Sequence, residues 1–134
     1  MPKLTTIEGI GEAYAQKLQE VGIETTAALL EQGATPTGRK SLAESSGLSN
    51  KLILKWVNRA DLFRVKGIGT QYADLLEVVG VDTVPELAQR NAANLHQKLA
   101  EVNEERNLVR QVPRLDQVEA WVTEAKTLPR VITY

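Results

Sequence analysis

The sequence predicts an all-α protein made of two similar halves, each a run of short helices. Three observations carry this reading. The phrase "IEGIGEAYAQKLQEVGIET", Ile7 to Thr25, returns as "VKGIGTQYADLLEVVGVDT", Val65 to Thr83, with nine residues identical in place. Apolar residues recur at three- and four-residue spacing through most of the chain. No stretch alternates polar with apolar residues in the manner of a strand, apart from the closing "RVITY".

The elements follow in chain order. Tyr14, Ala15, Leu18 and Val21 place a helix over Glu12–Val21, and Gly22 supplies the left-handed residue that ends it. Thr25 or Thr26 is positioned to cap a short helix ending near Gln32. Thr35 followed by Pro36 reads as a cap and first helical residue, starting a helix that runs to about Ser46. Ser49 caps a helix over Asn50–Ala60. In the second half, Tyr72, Leu75, Leu76 and Val79 give a helix over Thr70–Val79, with Gly80 at its end. Thr83 caps a short helix to about Arg90, Asn91 caps one over Ala92–Glu105, and Pro113 breaks the chain before a last helix from Arg114 to about Thr127. The total is eight to ten helices.

The likeness of the halves continues beyond the shared phrase. "KSLAE" at Lys40–Glu44 is echoed by "QKLAE" at Gln97–Glu101, and "WVNRADLF" at Trp56–Phe63 by "WVTEAKTL" at Trp121–Leu128. Gly67 lies 58 positions after Gly9, but Trp121 lies 65 after Trp56, so the second copy carries an insertion. The boundaries this gives are 1–64, 65–128 and a tail, 129–134.

The composition narrows the function classes. At 134 residues the chain is one ordinary domain or two very small ones, each marginal alone. Absence of cysteine excludes disulfides and thiolate metal sites, and fits a reducing, cytoplasmic setting. No apolar run is long enough to span a membrane, and "MPKLTTIEG" lacks the apolar centre of a signal peptide. A single histidine, His96, and acids scattered without a recognisable pair leave no nucleophile–base arrangement, P-loop or carboxylate cluster, so no enzyme, cofactor or metal is expected. The net charge of −1 and pI of about 5.9 count against a dedicated nucleic-acid binder, which is usually basic overall, although local patches matter more.

The Gly-Ile-Gly turns carry the chemistry. Each precedes a well-patterned helix, whose first amides point outward with no intrahelical partner. A bare glycine turn leading into such a helix is a natural seat for phosphate. The middle residue, Ile10 or Ile68, can anchor the turn in the core. Ala15 and Ala73 are small where helices would cross closely. The second glycine of the turn is expected to be conformationally required, so that Gly69→Val should destabilise the fold.

The spacing hydrophobic–x–Gly–hydrophobic–Gly–x–x–x–Ala resembles the helix-hairpin-helix motif. That resemblance implies backbone amides that hold DNA phosphates without reading sequence, in hairpins that often pair about a pseudo-twofold axis. Over roughly Leu4 to Leu128, "IEGIG", "YAQKLQEVGIETTAALL", "WVNRADLFRVKGIG", "YADLLEVVGVDTVPELAQRN" and "WVTEAKTL" together resemble a bacterial family of uncharacterised domains built from duplicated helix-hairpin-helix units. The fold so implied is two tandem helix-hairpin-helix repeats, a SAM-like bundle with extra helices. Similar units occur in the C-terminal domain of the RNA polymerase α subunit, which binds both DNA and proteins.

The two turns differ in charge. Glu8 and Glu12 flank Gly9, Ile10 and Gly11, and oppose a phosphate there. Lys66 and Thr70 flank Gly67, Ile68 and Gly69, with Arg64 close by. Lys51, Lys55 and Arg59, at four-residue spacing, should form one water-facing ridge leading towards this better turn, with Ile53, Trp56, Val57, Ala60 and Phe63 on the opposite side. Arg106, Arg110 and Arg114 make a similar series interrupted by Pro113. Bland readings compete at every point: the glycines can serve helix packing alone, the ridge can be an ordinary solvated face, and His96 a plain surface residue. Tyr14, Tyr72, Trp56 and Trp121 lie on apolar stripes and belong in the core. The expected function is non-catalytic, sequence-nonspecific binding of DNA or other nucleic-acid backbone by Lys51, Lys55, Arg59, Arg64 and Lys66–Thr70. The alternative is a protein-interaction adaptor in which both hairpins are purely structural.

Overall fold

The computed structural model describes residues 3–134. Among these the chain is all-α, with eight α-helices, one 3-10 turn at Leu4–Thr6 and no strand; an isolated bridge pairs Lys3 with Thr25. The chain divides into two compact units. The first ends at Asp61 and takes in Val131–Tyr134; the second is Leu62–Arg130.

In the first unit α1 is Glu12–Glu20, α2 Thr26–Gln32, α3 Pro36–Ser46 and α4 Asn50–Leu62, whose last residue opens the second unit. The starts follow from side-chain caps that satisfy amides a helix leaves open. Thr25 Oγ1 accepts from the Ala28 amide at 3.1 Å, Thr35 Oγ1 from Gly38 at 3.0 Å ahead of Pro36, and Ser49 Oγ from Leu52 at 3.1 Å. Helix α1 ends in a Schellman closure: the Ile23 amide donates to Leu18 O and that of Gly22 to Gln19 O. Leu4, Ile7, Leu18, Ile23, Leu29, Ile53, Trp56 and Val57 are almost wholly buried and form the core.

In the second unit α5 is Thr70–Val78, α6 Val84–Ala88, α7 Ala92–Arg106 and α8 Leu115–Thr127. Helices α6 and α7 pack on α8, and α5 on α7. The α5 ending repeats that of α1, with Val81 donating to Leu76 O and Gly80 to Glu77 O. Asn91 Oδ1 caps α7 through the Asn94 amide at 3.0 Å. Two starts differ from the sequence expectation. Thr83 occupies the N-cap of α6, but its side chain makes no capping bond, and the helix closes at Ala88, short of Arg90. Arg114 is the N-cap of α8 rather than its first residue; its amide donates to Gln117 Oε1 at 2.8 Å.

The tail, 129–134, takes no regular secondary structure. The Thr133 amide donates to Ala34 O at 2.8 Å, and Ile132 is buried.

Candidate functional site

The two Gly-Ile-Gly segments have the same local build. In the second unit the Ile68 amide donates to Val65 O at 3.2 Å; in the first, Ile10 donates to Ile7 O at 3.1 Å. Ile68 and Ile10 are buried and anchor their turns. Gly67 has φ +92° and Gly9 φ +94°, a region that side chains rarely enter. Each of these glycines also lies against an indole. A Cβ on Gly67 would stand 3.1 Å from Trp121 Nε1, and one on Gly9 3.6 Å from Trp56 Nε1. Tyr72 then packs on Trp121 with ring centroids 5.3 Å apart, and Tyr14 on Trp56 at 5.2 Å, both tilted by 56°. The tryptophans are core residues, as their positions on the apolar stripes predict. The tyrosines are not fully so: Tyr72 is half-buried and Tyr14 is 37% exposed.

The second glycine of each turn is different in kind. Gly69 (φ −104°, ψ −166°) and Gly11 (φ −87°, ψ −174°) are extended N-caps, a conformation any residue adopts. A Cβ on either would meet nothing within 4 Å. The conformational demand expected at Gly69 therefore falls on Gly67. Glycine at these two N-caps brings no capping side chain, and both Gly11 and Gly69 are exposed.

The predicted cations separate. Lys51, Lys55 and Lys66 are exposed. Arg64 is half-buried and donates to Pro129 O at 2.7 Å. Arg59, expected on a water-facing ridge, is 6% exposed, and Asp61 is 1% exposed; neither is without a partner. The exposed ridge stops before the last turn of α4, where Arg59, Ala60, Asp61 and Leu62 are all buried. At about 100° per residue Leu62 falls between Lys51 and Lys55, so position along the helix rather than its face buries the third member of the series. Lys51, with Arg39, Leu54 and Tyr134, borders an open groove in the first unit.

One residue at the second turn escaped the sequence reading. Glu124 Oε1 on α8 accepts the Lys66 amide at 3.0 Å. A carboxylate thus already satisfies one amide of the better turn. Its spacing was a readable signal, since a residue three past Trp121 lies on the helix face that meets Gly67. In the repeat alignment the same position of the first half is Arg59, which cannot accept an amide. Among the described residues no group of histidines and carboxylates could hold a metal ion, and no helix is long and apolar enough to cross a membrane.

The family model described as "Domain of unknown function (DUF4332)" matches residues 8–128. No curated protein and no solved structure matches the chain.

Proposed function

The chain belongs to this family of domains of unknown function, and from its own surface we propose that it is a tandem helix-hairpin-helix module that holds nucleic-acid backbone without reading sequence. The observation that carries the reading is the pair Gly11 and Gly69. Neither the backbone angles nor the surrounding atoms require glycine at these two N-caps. A serine, threonine or aspartate would cap an amide that glycine leaves open. What glycine supplies is bare backbone that another molecule can approach closely, at the positive end of a helix dipole. A phosphate suits that chemistry.

The seat on this reading is Lys66–Thr70, with the Lys66 side chain as its cation. Lys51 and Lys55 add positive charge in the first unit. Arg59 drops out because it is buried, and Arg64 because its guanidinium is committed to Pro129 O. Glu124 limits affinity by placing a negative charge at the seat. Glu8 and Glu12 weaken the first hairpin in the same way.

Those three carboxylates favour the second reading, a protein adaptor with structural hairpins. Fluorescence anisotropy with a short labelled duplex separates the two. Nucleic-acid binding should be indifferent to sequence and should fall steeply between about 50 and 200 mM salt, because phosphate contacts dominate it. Glu124→Gln keeps an acceptor for the Lys66 amide while removing the charge, so it should strengthen binding. Glu8→Lys with Glu12→Lys should do the same if the first hairpin also approaches the duplex. Absence of wild-type binding at about 50 mM salt, where such contacts are strongest, would leave the adaptor reading in its place.

A further inference from the structure

We infer that the loop Asn107–Arg114, joining α7 to α8, is a second phosphate-backbone contact, with Arg106 and Arg110 as its cations; the inference rests on the nucleic-acid reading above. This is where the two halves differ most. Helices α3 and α4 are joined by Gly47–Ser49, whereas α7 and α8 are joined by the longer Asn107–Arg114. The extra residues lie in the half whose Gly-Ile-Gly turn has lysine and threonine, not glutamates, beside it. From Arg106 to Arg114 the sequence has three arginines and no acid.

The loop is built, not slack. Asn103, 8% exposed, clasps both backbone groups of Val109: its Nδ2 donates to Val109 O at 3.0 Å, and its Oδ1 accepts the Val109 amide at 2.9 Å. Asn107 takes a left-handed conformation, φ 52°, that turns the chain out of α7. Val109 and Pro113 are buried as anchors. The Tyr72 hydroxyl donates to Gln111 O at 3.2 Å, tying the loop to the first turn of α5, the helix that Gly69 opens. Fixed backbone of this kind presents its exposed side chains with little ordering left to do on binding.

The three arginines are not equivalent. Arg114 Nε donates to Asp116 Oδ1 at 3.0 Å, and that guanidinium holds the Asp116 carboxyl below its ordinary range. The side chains of Arg106 and Arg110 are exposed and make no hydrogen bond or ion pair among the described residues, although Glu104 and Glu105 precede Arg106 in the chain. As the last residue of α7, Arg106 also has a local duty to the helix dipole. Arg110, in mid-loop, has none. Two exposed cations, one at the start of a loop tied by Gln111 to the first turn of the hairpin helix and one within that loop, suit the next phosphates of a strand seated there.

The double variant Arg106→Gln with Arg110→Gln tests this, read by anisotropy with the same labelled duplex over a salt series. Both side chains are exposed, so apart from the small helix-dipole contribution of Arg106 the melting temperature should hold. Each lost phosphate contact should flatten the slope of log K against log[salt] by about 0.9. Between about 50 and 200 mM salt the variant should therefore lose about twelvefold less affinity than the wild type does. Arg106→Lys with Arg110→Lys should restore the wild-type slope. An unchanged slope in the glutamine variant, with wild type binding normally, overturns the loop contact while leaving the hairpin reading intact. Failure of wild type to bind the duplex overturns both.

Discussion

Two glycines, two residues apart in each turn, have opposite reasons to be glycine. Gly67 is held at φ +92° with the Trp121 indole where its Cβ would point. Gly69 has ordinary angles and open space. Gly67→Ala should therefore destabilise by about 1–3 kcal/mol, from backbone strain and displacement of the indole. Gly69→Ala should stay within about 0.5 kcal/mol of wild type while weakening nucleic-acid binding if bare backbone is what the ligand needs. Thermal melts of the two variants decide the first contrast: equal losses would mean that the two positions are wrongly distinguished. The sequence motif treats the two glycines alike, since spacing records only that both lack a side chain.

At the scale of elements, most of what the sequence offered was local and was therefore legible. Caps at Thr25, Thr35, Ser49 and Asn91, and the glycines that close α1 and α5, act within a few residues, and each is found where the pattern places it. What was not legible depends on partners distant in sequence. Arg59 is buried because the last turn of α4, Arg59 to Leu62, is buried whichever way its side chains point, which an apolar stripe does not announce. Glu124 reaches the Lys66 amide from 58 residues away. The loop after α7 shows the same limit: "NLVRQVPRL" reads as a break, and nothing in it announces that Asn103, inside the preceding helix, will hold Val109 by both backbone groups. That clasp makes a specific prediction. Asn103→Ala leaves the buried N–H and C=O of Val109 without partners, at about 1–3 kcal/mol for each unsatisfied group. The variant should melt lower and show faster amide exchange in Asn107–Arg114, while Asn103→Ala in a loop already held by its other contacts would show neither change.

At the scale of the whole molecule, the chain's last residues belong structurally to its first half. Arg39 is 5% exposed, and its guanidinium donates to Gly33 O at 2.9 Å and Thr133 O at 2.7 Å. The Tyr134 ring lies 5.7 Å from that guanidinium, and the Tyr134 hydroxyl donates to Asn58 Oδ1 at 3.0 Å. A buried cation loses its hydration and needs its fixed acceptors. Removing Val131–Tyr134 withdraws one of them and uncovers the site filled by Ile132. Burial of an isoleucine side chain contributes about 1.5–3 kcal/mol, and a hydrogen bond to a charged group about 1.5–3 kcal/mol. Truncation after Arg130 should therefore cost the first unit a large share of the stability available to so small a body, which is marginal at that size. Hydrogen exchange followed by mass spectrometry on the full chain and on the truncated one gives the test. Faster exchange concentrated in α3 and the segment from Gly33 to Thr35 is the expected result. Arg39→Met in the full chain separates the two contributions: it removes the buried charge along with its need for Thr133 O, so truncation should cost that variant less than it costs wild type. An equal cost in both backgrounds would show that the tail acts through Ile132 and its bonds to Ala34 and Asn58, not through Arg39.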